Sequence, residues 1–377
     1  MGDVERFRDE TWTASPLLHR NPGEQSFEDL LSLAAIDELV SGTALRLPAF
    51  RLVQDGKPLD VRSFTRRMRI GGKLVEDVAD PARVHALVGS GATLVLQALQ
   101  RYWPPLTAFC RELERVLGHA VQANAYLTPA GAQGLGLHAD THDVFTLQVL
   151  GSKAWQAYAP GAGPPDDEPA LDVELYPGDS MYLPRGARHL ARTTTSPSLH
   201  LTVGVLTTSW STVLEQALAS APIELGLRDP LPFGWHEDTA GFGGSVGDWL
   251  QRVGTWLAAE ADAGETAARV RARAHDRRAV VPSGQLSQVL RVGEVENETV
   301  LRRRQGVAVE LLADFDRARL VLADREVHLP VALAPVLEQV LASSQLRAAD
   351  LAGDLDEPGR LVLVRRLVRE GVLEAMG

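Results

Sequence analysis

A single cysteine, Cys110, stands in 377 residues, which excludes a disulfide framework and any cysteine-ligated zinc or iron–sulfur centre. It falls on the apolar side of a helix expected over 106–117, a place for packing. Positive charge is also scarce: 38 Lys and Arg against 49 Asp and Glu give a formal net charge of −11. Bulk electrostatics therefore draws the surface toward neither nucleic acid nor anionic lipid, and a basic partner is the easier one to steer. Long apolar runs are missing, since no stretch approaches ~18 consecutive apolar residues, and the charged start lacks the apolar core of a signal peptide. The expectation is a cytoplasmic chain with no membrane segment. No internal repeat occurs, and the only biased stretch is the Pro/Asp/Glu-rich one at 163–169.

What is present is an ordinary globular composition, 45% hydrophobic and 23% charged, long enough for two or three domains at ~100–200 residues each. Ser26 and Asp29 read as a capping box ahead of Leu30, Leu31 and Leu33. Asp55-Gly56 reads as a hairpin turn, Asp80-Pro81 as a helix start, 93–99 as a strand and 104–117 as a longer helix. From 120 to about 206, short β-favouring runs (121–127, 144–149, 154–158, 173–175, 180–183, 199–206) alternate with Gly/Pro turns and no helix. That pattern predicts a jelly-roll or barrel. Beyond it, 211–226 reads as a helix, 228–244 as a loop marked by Pro230, Pro232, Gly241, Gly243 and Gly244, and 249–278 as helical again. After a break at Pro282-Ser-Gly284, strands at 307–312, 318–322 and 326–329 precede helices at 330–342, 348–355 and 360–370. This order is winged-helix-like.

The chemistry is concentrated in His138-Ala-Asp140 and, further on, His189 in Leu183-Pro-Arg-Gly-Ala-Arg-His189. On an extended segment residues i and i+2 point to one face, so His138 and Asp140 can hold one metal while His189 arrives from another strand. Two imidazoles and a carboxylate on one face of an octahedral ion leave three adjacent positions open, the arrangement of non-haem Fe(II) oxygenases. The competing reading makes both histidines core residues and Asp140 a turn cap. A glycine-rich loop (Gly131, Gly134, Gly136) precedes His138 and suits a substrate entrance; it is not a dinucleotide fingerprint, because no helix follows. Lys153 lies on the next strand, where a lysine is otherwise a solvated strand-end charge. His142 and Asp143 fit an outer or solvated role, His200 is a buried histidine near the metal or a plain core residue, and Trp103, Trp155 and Trp210 read as packing.

The run His138-Ala-Asp140-Thr-His-Asp-Val144-Phe-Thr-Leu-Gln148-Val-Leu-Gly151-Ser-Lys153-Ala-Trp155 resembles the central segment of the JmjC-type ribosomal oxygenases, a branch of the cupin fold. Asn124-Ala-Tyr126, Pro177-Gly-Asp-x-Met-Tyr-Leu-Pro184 and Ser198-Leu-His200-Leu-Thr202 match as well. The resemblance runs over roughly 15–377 and is most specific over 121–206. It implies a mainly β core with α, a double-stranded β-helix (jelly-roll/cupin, JmjC type) over 1–210. A helical dimerisation domain over 211–288 and a winged-helix-like domain over 289–377 would follow. It further implies a homodimeric Fe(II)- and 2-oxoglutarate-dependent hydroxylase that uses O2 and oxidises a side chain of a ribosomal protein. By position, His138, Asp140 and His189 would bind iron, Lys153 would hold the distal carboxylate of 2-oxoglutarate, and Asn124, Tyr126 and Thr202 would line its pocket. Arginine in place of Lys153 is found among the relatives.

Two other functions share parts of this pattern. A hydroxylase tailoring a peptide natural product or small metabolite would need the same ligands, and lysine demethylation is a lower-ranked activity of the broader group. A DNA-binding regulator with a cupin sensor would use the winged-helix-like end. Residues 331–377 there hold five arginines, no lysine and seven acidic residues, the wrong sign for a DNA reader, so no direct DNA binding is expected.

Overall fold

Along 120–128, 143–150 and 198–206, polar and apolar side chains alternate. Val121, Ala123, Ala125, Phe145, Leu147, Leu201 and Val203 are buried and apolar, whereas Asn124, Tyr126, Thr146, Gln148, His200 and Thr202 between them are not apolar aliphatics. Successive strand residues face opposite ways, so these segments build a sheet with one oily and one polar side. The computed structural model describes all residues except 1–3, 22, 24–25, 133–135, 278–283, 305–306, 308, 314, 323–324, 354 and 377.

The first compact unit is Met1–Thr207. Its strands are β1 (Leu17–His19), β2 (Phe50–Gln54), β3 (Lys57–Pro58), β4 (Thr65–Ile70), β5 (Lys73–Ala79), β6 (Thr93–Leu96) and β7 (Ala120–Thr128). They continue as β8 (His138–Ala139), β9 (Asp143–Leu150), β10 (Lys153–Pro160), β11 (Leu171–Leu175), β12 (Ser180–Leu183), β13 (Ala187–Thr193) and β14 (Ser198–Leu206). An eight-stranded antiparallel sheet has the order β1-β12-β9-β14-β7-β6-β2-β3, and a four-stranded one has β11-β10-β13-β8. The apolar side of the larger sheet packs on Leu31, Ile36 and Leu39 and on the helix Pro104–Leu117 through Leu106 and Cys110. Burial pushes the Cys110 thiol up to about 12, so this cysteine packs and does not react. The polar side of the larger sheet and the inner side of the smaller one line a common cavity. Strands β4 and β5 form a separate two-stranded ribbon that turns through Gly71 and Gly72, both at positive φ.

The second compact unit is Thr208–Gly377. Helices Trp210–Leu218, Thr239–Ala259, Ala263–Arg277 and Gln285–Arg291 come first, followed by two three-stranded sheets and helices Ala334–Ala342 and Glu357–Arg369. Its core gathers Leu301, Leu320, Leu337, Val364, Leu367 and Leu373. The buried Arg304 guanidinium is compensated by Glu374 at 3.4 Å and by Gln285. Among the described residues no helix is long and apolar enough to cross a membrane.

Several expectations are corrected. The helix Leu33–Asp37 is capped by Ser32, whose hydroxyl accepts from the Ala35 amide at 3.1 Å, not by Ser26; residues 27–30 are a turn. The 93–99 strand stops at Leu96, because Ala98 adopts a left-handed φ and starts a 3-10 turn. The helix at 211–226 ends at Leu218. The glycines expected in a loop at 228–244 begin a helix at Thr239, where Asp238 caps the Gly241 amide at 2.9 Å and offsets their poor propensity. Asp262 starts a new helix, so 249–278 is two helices. Only a 3-10 turn, Ala348–Asp350, stands where a helix was expected at 348–355. The strand expected at 307–312 is Glu310–Ala313, with residue 308 outside the described residues, as are Gly134 and the Pro282-Ser283 break.

Candidate active site

Strand register brings the three candidate ligands together. β8 is two residues long and pairs His138 directly with His189 of β13, which puts their rings 4.3 Å apart, centroid to centroid. Asp140 follows where β8 ends, and its carbonyl accepts from the Gly186 amide at 2.9 Å, tying the turn before His189 to the ligand pair. One donor atom each from His138, Asp140 and His189 lies within 4.8 Å of the others. The imidazoles are oriented from behind: Nδ1 of His138 bonds the Gly136 carbonyl at 2.8 Å and Nδ1 of His189 bonds the Ala187 carbonyl at 3.0 Å. A carbonyl only accepts, so Nδ1 carries the proton in both rings and Nε2 keeps its lone pair for a metal. His189 Nε2 lies 3.7 Å from Asp140 Oδ2, too far for a hydrogen bond. Burial holds the His189 imidazole below its usual pKa, which favours the neutral, ligating form. Two imidazoles and one carboxylate on one face fit a divalent ion with open positions.

The same cavity, about 260 Å³, extends from this triad to Lys153. Lys153 starts β10 and faces inward, 3% exposed. Its Nζ lies 3.4 Å from the Thr128 hydroxyl and 5.9 Å from the centre of the Trp155 ring. No carboxylate pairs with it among the described residues, and burial lowers its pKa to about 7. A buried cation with only a hydroxyl for a partner is costly unless an anion joins it. The solvated strand-end reading of Lys153 is therefore overturned.

Asn124, Tyr126 and Thr202 all line the cavity. β7 and β14 set Thr202 opposite Asn124 and His200 opposite Tyr126. Asn124 Oδ1 accepts from the Ala98 amide at 3.0 Å. Burial raises the Tyr126 phenol, which keeps it a hydrogen-bond donor. His200 stacks on the Tyr126 ring at 5.0 Å and stands edge-on to Trp155 at 5.4 Å. Burial first and the Lys153 charge second push its pKa well down, so the imidazole is neutral.

Other cavity residues escaped the sequence reading as site residues: Arg51, Thr93, Thr146 and Trp155. The Thr146 hydroxyl, the Trp155 indole nitrogen and His200 Nδ1, all of cavity-lining residues, are buried with no hydrogen-bond partner among the described residues, as expected where a ligand is missing. Alternation along β9 and β14 would have marked Thr146 and confirmed the facing of His200; Arg51 gave no signal. Asp143 is fully buried and accepts from the Tyr182 hydroxyl at 2.6 Å and the Arg185 amide at 3.4 Å, so it fastens the turn before His189 and is not solvated. His142 lines the cavity, its ring packed so closely on Gly204 that a Cβ there would collide with it.

Residues 96–213 match the family model of the JmjC domain. Ribosomal oxygenase 1 of Gallus gallus is 31% identical over 246 residues, which is 61% of this chain and 39% of that protein. Ribosomal oxygenase 2 of Mus musculus is 29% identical over 249 residues, 60% of this chain and 50% of that one. The chain thus spans half or less of the length of these relatives. In three dimensions it is similar to the Escherichia coli ribosomal oxygenase YcfD in complex with cobalt and 2-oxoglutarate, at a TM-score of 0.56 and 17% identity, covering 99% of this chain and 98% of that one. At that identity the likeness is one of fold: mainly β with helices, of the JmjC cupin type. In sequence and fold the chain resembles the JmjC ribosomal oxygenases.

Proposed function

We propose that this JmjC-domain chain is an Fe(II)- and 2-oxoglutarate-dependent oxygenase that hydroxylates a side chain of a protein, with ribosomal proteins as the substrate class. One observation carries it: a His138/Asp140/His189 face with both Nε2 lone pairs free shares a cavity with Lys153, a buried cation that lacks an anion. Metal and dicarboxylate sites so placed fit a cosubstrate that spans them, and the YcfD complex with cobalt and 2-oxoglutarate gives the reading support.

Iron together with 2-oxoglutarate and O2 supplies an oxidant able to break an unactivated C–H bond, with succinate and CO2 as by-products. The chain's own residues bind and orient. His138, Asp140 and His189 hold the ion on one face, and the carbonyls of Gly136 and Ala187 fix the imidazole tautomers. Lys153 would pair with the distal carboxylate, the Thr128 hydroxyl holding its Nζ at 3.4 Å, and the Tyr126 phenol on the cavity wall would donate to the cosubstrate. Val95, Val144 and Trp155 exclude water from the cavity wall. The acidic surface favours encounter with basic protein segments.

The remainder of the chain completes the reading: a catalytic domain over 1–210, a helical dimerisation domain over 211–288 and a winged-helix-like domain over 289–377, in a cytoplasmic homodimer. Exposed Leu214 and Leu250 on the helices of 211–288 support the dimer. The test is incubation of the iron-loaded chain with 2-oxoglutarate and a ribosomal-protein mixture. Succinate formation together with a one-oxygen mass gain on one protein is expected; succinate-free incubation with unmodified proteins would end the proposal.

A further inference from the structure

Despite the net charge of −11, residues 61–75 contain Arg62, Arg66, Arg67, Arg69 and Lys73 and no carboxylate. All five are exposed, and four lie on the β4–β5 ribbon, a sheet of its own. Arg67 is compensated by Glu76 at 2.9 Å. Arg69 donates to the Gly72 carbonyl at 3.2 Å, which leaves its charge uncompensated. Arg62, Arg66 and Lys73 enter no ion pair among the described residues. Glu76 and Asp77 follow on the second strand, so four cations against two carboxylates leave the ribbon with a net charge of +2.

We propose that the β4–β5 ribbon is a docking site for the phosphate backbone of RNA. Arginines predominate, and a guanidinium fork matches phosphate oxygens in a bidentate manner. The single aromatic of the stretch, Phe64, is buried at 1% exposure, so bases have no side chain to stack on and the contact is independent of sequence. On a chain whose net charge is −11, such binding is weak and salt-sensitive. The choice of RNA over other polyanions rests on the ribosomal-protein reading above, since RNA is the polyanion that accompanies such a substrate.

Fluorescence anisotropy of a labelled oligouridine of about 20 nucleotides with the full chain tests this without any turnover, so its failure is separable from failure of the oxygenase reading. With four cations free to displace counterions, log affinity against log salt should fall with a slope of about −3 between about 50 and 200 mM. The triple variant Arg66→Gln, Arg69→Gln, Lys73→Gln should bind at least ~10-fold more weakly at the low end and flatten the slope to about −1. Arg252→Gln, an exposed control in the second unit, should change neither, and matching thermal melts show that the triple variant is folded. No RNA binding at low salt, wild-type binding by the folded triple variant, or equal ribbon-dependent binding to phosphatidylserine vesicles or polyglutamate would overturn the proposal.

Discussion

The two sides of the eight-stranded sheet share every strand and differ in what they hold. On one side Phe145, Leu147, Leu201 and Val203 pack against helices with no polar atom at stake. On the other, among the described residues, Thr146 and His200 leave buried polar atoms without partners, and Lys153 reaches across from the smaller sheet with no anion. Period-two alternation usually separates core from solvent; here it separates an apolar interior from a polar cavity. The apolar side supports a polar side that would be unstable alone.

Substitutions should separate the two sides cleanly. Asp140→Ala, on the cavity side, should lower metal affinity by more than ~100-fold, beyond the usual effect of removing an outer-shell partner, while thermal unfolding of the metal-free chain hardly moves. Phe145→Ala, one residue from the cavity-lining Thr146 but facing the other way, should cost about 3–5 kcal/mol in chemical denaturation and leave metal stoichiometry intact in the folded fraction. Lys153→Met should weaken 2-oxoglutarate binding to the metal-loaded chain by about 2–3 kcal/mol, measured calorimetrically. The same change should stabilise the ligand-free chain below pH 7 by removing a buried charge. Destabilisation there by Lys153→Met would mean that the lysine has an anionic partner in the free protein.

The smallest effect is one of pH. The unfolded lysine keeps its proton to about its ordinary 10.5 while folded Lys153 releases it near about 7. Between those values the unfolded chain binds more protons, so stability of the ligand-free protein rises with pH, by about 2 kcal/mol from 7 to 9. Affinity for the dicarboxylate should fall over the same interval, because the charged lysine is the form that pairs with it. A stability profile flat across this window in wild type, or equally sloped in Lys153→Met, would assign the effect elsewhere.

Much of the site was legible because its signals are local. His138 and Asp140 are two apart on an extended segment, and Lys153 opens the strand after the next turn. The run of short strands over 120–206 was legible from Gly/Pro punctuation. Partnership across strands was not: Arg51 and Thr93 join the cavity only through the β2–β6–β7 register, which no single segment encodes. β13, rich in Arg188, Arg192 and Thr193, has no apolar alternation strong enough to announce a strand, and the β4–β5 ribbon is exposed and charged over most of its length. In the second unit, glycine content misled because the Asp238 cap starts a helix at Thr239 despite the glycines' poor propensity.

Titration of the metal-free chain with Mn(II), which accepts the same nitrogen and oxygen ligands as Fe(II), followed by the electron paramagnetic resonance of the free ion, tests the centre most directly. A single bound ion is expected, lost separately in His138→Ala, Asp140→Ala and His189→Ala and retained in His142→Ala. Undiminished uptake by folded His189→Ala would contradict the three-residue metal face on which the account stands.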